Sequence, residues 1–230
     1  MKRFYRQATA HRGDDGWFVA LDGRRVKTQG GNVLVLPNAE VAQLLAAEWA
    51  AQGEEIDPSG FAKRDIVDYA LDVVARDKPA AVAALLRYAE TDTLCYRADP
   101  DEPLWKRQQA VWEPLLAACE AREGIGLQRV SGVIHRAQDE AALATLRARL
   151  EAMDYLTLAA LTTLASLAAS LVVGLAALEP RADGDALWDA SNLEEDWQAE
   201  HWGRDEEAEE RRAKRKNGFL AAIELAHALR

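Results

Sequence analysis

The chain has 230 residues, 49% of them hydrophobic and 29% charged, a balance that suits a folded globular protein and not a disordered one. Its formal net charge of -10 argues against nucleic acid as the main partner, because phosphates are met by a basic face. Two cysteines, Cys95 and Cys119, without a CxxC or a Cys/His cluster, suggest neither a disulfide framework nor a zinc site.

The charge is unevenly spread. Residues 1–30 hold seven Lys/Arg and three Asp, a surplus of +4 that leaves -14 for the remainder. A basic front on an acidic body can steer a partner, or simply keep the surface solvated. The opening MKRFYRQATAHRGDDG carries charge but no apolar core, so it does not read as a secretory signal and a cytoplasmic protein is expected.

The first 36 residues read as strands: RFYRQA, GWFVALDG, RRVKTQ and NVLVLP are rich in aromatic or β-branched residues. Asp14-Asp15-Gly16, Asp22-Gly23 and Gly30-Gly31-Asn32 separate them and tolerate the positive φ of tight turns. An antiparallel meander of three or four strands follows. Asn38 then caps a helix, AEVAQLLAAEWAAQG, whose Val41, Leu44, Leu45 and Trp49 form the face that covers the sheet. IDPSG breaks the chain, which divides it into a β-rich part, residues 1–60, and a helical part, residues 61–230.

Beyond that break RDIVDYALDVVARD, PAAVAALLRYAETDTLCYR and PLWKRQQAVWEPLLAACEAREG read as successive helices, with Pro114 starting a new one or kinking the third. LQRVSGVIHR is an extended interruption, after which Asp139 caps a helix to about Met153. Leu156 to Leu178 is a 23-residue run without charge, long enough for a bilayer. Its threonines, serines and alanines, and a stripe of leucines at three- and four-residue spacing, fit one buried central helix better than a membrane span. From Ala186 to Arg230 the pattern is helical again. The fold class expected is α+β: a small N-terminal antiparallel β-sheet lobe with a covering helix, followed by a larger all-helical domain.

Signals of chemistry are missing. There is no GxxxxGK[ST] and no GxGxxG after a strand, and Gly124-Ile125-Gly126 reads as a turn. Ser59, Ser131 and Ser191 lack a nucleophile elbow, and His11, His135, His201 and His227 are scattered. No catalytic residue, cofactor, metal or small-molecule substrate is expected.

Two segments have unusual composition. In Arg87 to Arg97, a continuous helix would bring Tyr88, Asp92 and Tyr96 together, a polar seam with tyrosine hydroxyls on Asp92. In Leu193 to Glu207, Trp197 and Trp202 stand five apart among acids, which suits indoles that are packed or reserved for a partner. Glu200 and Asp205 also have architectural readings, an i,i+4 pair with Arg204 and an N-cap for the last helix.

The pairing of RYAETDTLCYR with EEDWQAEHWGRDEE resembles the Atp12 (Atp-twelve) chaperones of mitochondria and α-proteobacteria. ASLAASLVVGLAAL between them fits as well, as does the opening KRFYRQA…GWFVALDGRRVKT…LVLP…AAEWAAQGEEIDP, so the likeness covers essentially the whole chain. Arg64-Asp65-Ile66-Val67-Asp68-Tyr69 departs from it. The resemblance implies a β-containing N-terminal domain before a helical one. It also implies a chaperone, not an ATPase, that binds the new α subunit of the ATP synthase catalytic head until β joins. By motif position it makes Glu200 and Asp205 functionally sensitive, and eukaryotic relatives would lie in the mitochondrial matrix. Partner-binding residues expected are therefore Glu200, Asp205, Trp197 and Trp202, the tryptophans as anchors and the acids fixing register. Two rivals are a hydrolase with paired carboxylates and a helical scaffold associated with membranes.

Overall fold

The computed structural model describes residues 1–132, 136–203 and 205–230. Strands β1 (Ala8–Gly13), β2 (Gly16–Leu21) and β3 (Arg24–Arg25) form an antiparallel sheet in that order. The β2–β3 connection is the two-residue turn Asp22-Gly23, with φ of 47° and 81°, the doubly positive pairing that matches strand twist. Helix α1 (Ala39–Ala50) covers the sheet; Asn38 caps it by accepting from the Val41 N–H at 2.9 Å. The chain is thus α+β as expected.

The first strand, ATAHRG, begins only at the end of the expected RFYRQA, and the strands from GWFVALDG and RRVKTQ are shorter than their patterns. Of RFYRQA only Ala8 is in a strand, the first residue of β1; Tyr5 turns inward and donates its hydroxyl hydrogen to the Trp49 carbonyl at 2.5 Å. NVLVLP contributes isolated bridges, Lys27 with Val33 and Trp17 with Leu36.

Helices α2 (Ala62–Tyr69), α3 (Lys78–Glu90), α4 (Pro103–Glu123) and α5 (Glu140–Glu151) follow, with a π-helical turn at Ala70–Val74. α4 passes through Pro114 without a break. The backbone bond that Pro114 cannot make costs less than the burial of Trp112 and Leu116 returns. Cys95 and Cys119 are buried and free. β4 (Tyr96–Arg97) pairs in parallel with β5 (Val130–Ser131); the end of the extended segment, Val133 to His135, lies outside the described residues.

Two helices expected to be continuous are broken. α3 stops at Glu90, so Asp92 does not meet the tyrosines along a helix. It is fully buried, and it accepts from the backbone N–H groups of Leu94 at 3.0 Å and Val172 at 2.9 Å. The leucine-striped run is two helices, α6 (Tyr155–Ala168) and α7 (Leu171–Ala177), separated where Ala169 adopts a φ of 49° and Ser170 caps α7. α7 folds back against α6 at Gly174, where a Cβ would lie 2.9 Å from a Leu161 methyl and would have to push it aside. No helix among the described residues is long and apolar enough to cross a membrane.

Helices α8 (Gly184–Ser191), α9 (Leu193–Trp202) and α10 (Glu206–Ala228) close the chain. The Trp112 indole donates to the Ala190 carbonyl at 2.7 Å and ties α4 to α8. One apolar cluster runs from Leu21, Leu45 and Phe61 through Leu158 and Leu164 to Phe219 and Leu225.

Candidate partner-binding surface

α9 is held by charge more than by apolar contact, because Leu193 is its one buried residue. The buried Gln108 amide donates to Glu194 at 2.7 Å, and burial raises the Glu194 carboxyl above its ordinary range. Arg212 of α10 grips Asp196, with one N–H···O contact at 2.7 Å. Arg107 of α4 reaches Glu200 at 2.6 Å, and that hydrogen bond holds the Glu200 carboxyl below the usual range. α9 is therefore clamped between α4 and α10.

The four expected partner residues fall along this clamp. Glu200 is exposed and paired with Arg107; Arg204, the neighbour suggested by helical spacing, lies outside the described residues. Trp197 is half-buried, with the Arg107 guanidinium 5.9 Å from its ring and the His201 ring 4.5 Å away. Trp202 is 79% exposed, the most exposed large hydrophobic side chain of those described. α9 ends at Gly203, where φ is 90°. Asp205 then caps α10, accepting from the Ala208 N–H at 2.8 Å. This agrees with the architectural reading of Asp205, and the acids Glu206 and Glu207 sit in the favourable first turn.

Two grooves flank α9. One, of about 580 Å³, is lined by Arg107, Val111, Trp188, Leu193, Glu200 and Arg212, among others. The second, of about 510 Å³, runs past Gln198, Trp202, Asp205, Arg211 and Arg215. The expected residues are thus divided, Glu200 facing the first groove and Trp202 and Asp205 the second. Sequence reasoning singled out Glu200 but missed its cation. Arg107 is 93 residues from Glu200, a separation that no local spacing rule reaches.

A small antiparallel sheet covered by a helix, followed by a helical body that carries a tryptophan-tipped, charge-clamped helix, defines the class: an α+β protein. A family profile described as ATP12 chaperone protein matches residues 2–120, and the chain belongs to that family. It is a chaperone of ATP synthase assembly and not an enzyme. Its similarity to Atp12 from Paracoccus denitrificans is 36% identity with a TM-score of 0.91, covering 100% of this chain and 98% of that one. The Atu1473 protein of Agrobacterium tumefaciens shares 37% identity with a TM-score of 0.94, over 100% of this chain and 86% of that one. The mitochondrial protein atp12 of Schizosaccharomyces pombe is 24% identical over 221 residues, 91% of this chain and 76% of the relative.

Proposed function

We propose that the chain binds the unassembled α subunit of the ATP synthase catalytic head and shields it until β takes its place. The observation that carries this reading is Trp202, left in solvent at the tip of α9 between Glu200 and Asp205. A large exposed indole beside fixed acids suits an interface anchor, with the acids setting register against basic groups of the client. Unassembled α exposes the surface that would meet β, and such surface promotes aggregation. Release follows from mass action: a better-matched neighbour displaces a weaker binder without ATP hydrolysis. The setting proposed is the bacterial cytoplasm, with the matrix as its counterpart for mitochondrial relatives. The division near residue 60 enters this reading as a proposal too, the β-rich and helical parts presenting separate surfaces.

Co-expression with α and β separately is the test. The chain is expected to co-purify with α alone, and Glu200→Lys and Trp202→Ala to lose much of it. Retention of α by both variants at the level of the unaltered chain would remove α9 from the mechanism, and capture of β alone would overturn the choice of client.

A further inference from the structure

The basic surplus of the first thirty residues finds a place in the fold. A cleft of about 570 Å³ lies between β3 and α2, at the opposite end of the sequence from α9. Its floor is Tyr5, Leu21, Val26 and Trp49, each no more than 9% exposed. Phe4, 64% exposed, stands at its rim with its ring 5.3 Å from Tyr5, and Tyr5 is 5.5 Å from Trp49. An aromatic ladder thus runs from solvent into the core.

Four cations line this cleft: Arg24, Arg25, Lys27 and Arg64. Its single acid is Asp22, whose carboxylate is already occupied by the backbone N–H groups of Arg6 at 3.0 Å and Gln7 at 2.8 Å. Among the described residues, the side chains of Arg24 and Lys27 have no acceptor. Arg25 is already paired, its guanidinium donating to Asp15 at 3.0 Å and to the Leu34 carbonyl at 3.3 Å, while its Nε and that of Arg64 are buried without a hydrogen bond. Arg64 lies 5.0 Å over the Trp49 ring, and Asp68 approaches its Nε at 3.4 Å as an ion pair without hydrogen-bond geometry. Free donor capacity therefore rests on the exposed Arg24 and Lys27, where apolar surface is also open.

We propose that this cleft is a second docking site and that it takes an acidic, extended segment of a partner protein with an apolar residue among its carboxylates. Carboxylates suit planar guanidinium donors, and the apolar residue suits the Phe4–Tyr5 wall. The cations are strung along residues 24–27 and faced by one from α2, which matches charges spaced along a chain better than a single compact anion. The overall charge of -10 disfavours nucleic acid as the occupant. The inference does not depend on which protein α9 holds.

Fluorescence anisotropy on the full chain tests it. The probe is a labelled peptide of about ten residues, some 33 Å when extended, with glutamates flanking a central Phe-Leu pair. Saturable binding that weakens with salt is expected, with a loss of at least about tenfold in the double variant R24E/K27E. Both side chains are exposed, so that variant keeps its melting temperature. R147E/R181E, with the same change in net charge at distant exposed sites, binds as the unaltered chain does. The proposal is overturned if the peptide does not bind, if R24E/K27E binds it equally, or if R147E/R181E loses as much. Displacement of the peptide by equimolar inorganic phosphate would also overturn it, marking a small-anion site. So would dimerisation that R24E/K27E abolishes, with a second copy supplying the acids.

Discussion

The α9 grooves and the N-terminal cleft differ in how far their cations are paired. Beside α9 the cations are spent: Arg107 on Glu200, Arg212 on Asp196, and Lys216 on Asp185 at 2.7 Å. In the cleft Arg25 and Arg64 are paired with Asp15 and Asp68, while Arg24 and Lys27 hold no acid. A partner meeting the first surface must break or bridge existing pairs, so charge there sets orientation while an indole such as Trp202 supplies affinity. A partner meeting the second gains from charge directly, and feels salt strongly. The difference lies in pairing, not in the number of charges.

The largest expected effect comes from removing what fixes the groove. Trp112 is fully buried and its indole joins α4 to α8, two walls of the 580 Å³ groove. Trp112→Ala should cost about 3–5 kcal/mol, from lost burial, a cavity and an unpaired Ala190 carbonyl. Urea unfolding followed by circular dichroism measures it. A loss below about 1 kcal/mol would mean that the groove walls are held by something else. Acidic-peptide capture by the distant cleft should survive in the folded fraction, while α capture should not.

A smaller effect separates the two surfaces by pH. Asp68 is 5% exposed; burial pushes its carboxyl up to about 6, and the Arg64 guanidinium opposes the shift. Because the folded value lies above the unfolded one, folding takes up a proton. That contribution to stability is fully present below about 4 and is lost as pH rises through 6. Asp68→Asn should therefore flatten the pH dependence over this window by about 1–2 kcal/mol, as read from urea midpoints at pH 4.5 and 6.5. It also frees Arg64, so peptide binding at the cleft should tighten while α9 is unaffected. Asp92 is pushed up to about 6 as well, by complete burial. It makes a poorer probe, because backbone N–H groups surround it and an asparagine amide would turn donors against them.

Asp92 also marks where the sequence is hard to read. Its helical spacing to Tyr88 and Tyr96 is real, but the chain leaves the helix after Glu90 and sends the carboxylate to α7, 80 residues away. The break between α6 and α7 is silent for a similar reason: the left-handed residue is Ala169, where a glycine would have announced the turn. By contrast, the Asn38 and Asp139 caps, the Asp22-Gly23 hairpin and the end of α9 at Gly203 depend on near neighbours, and local pattern finds them. The acids and tryptophans of α9 were legible as composition. Their clamp was not, since Arg107 and Arg212 arrive from other helices, and Arg64 joins the N-terminal cleft in the same way.

The smallest expected effects decide whether the acids of α9 and α10 recognise a partner or hold the fold. Asp205→Ala removes an N-cap and should cost about 1 kcal/mol, a fall in melting temperature of roughly 2–4 °C for a chain of this size. Glu200→Gln removes an exposed ion pair with Arg107 and should leave the melting temperature essentially unchanged. If register against the client depends on both acids, α capture falls in both variants although their stabilities differ. If Asp205 serves only as a cap, Asp205→Asn, which can still accept from the Ala208 N–H, restores stability and capture together. Glu200 has no such escape: its pair contributes little to the fold, so a loss of capture in Glu200→Gln at unchanged melting temperature assigns it to recognition. Unchanged capture would leave the exposed indole of Trp202 to hold the client without it.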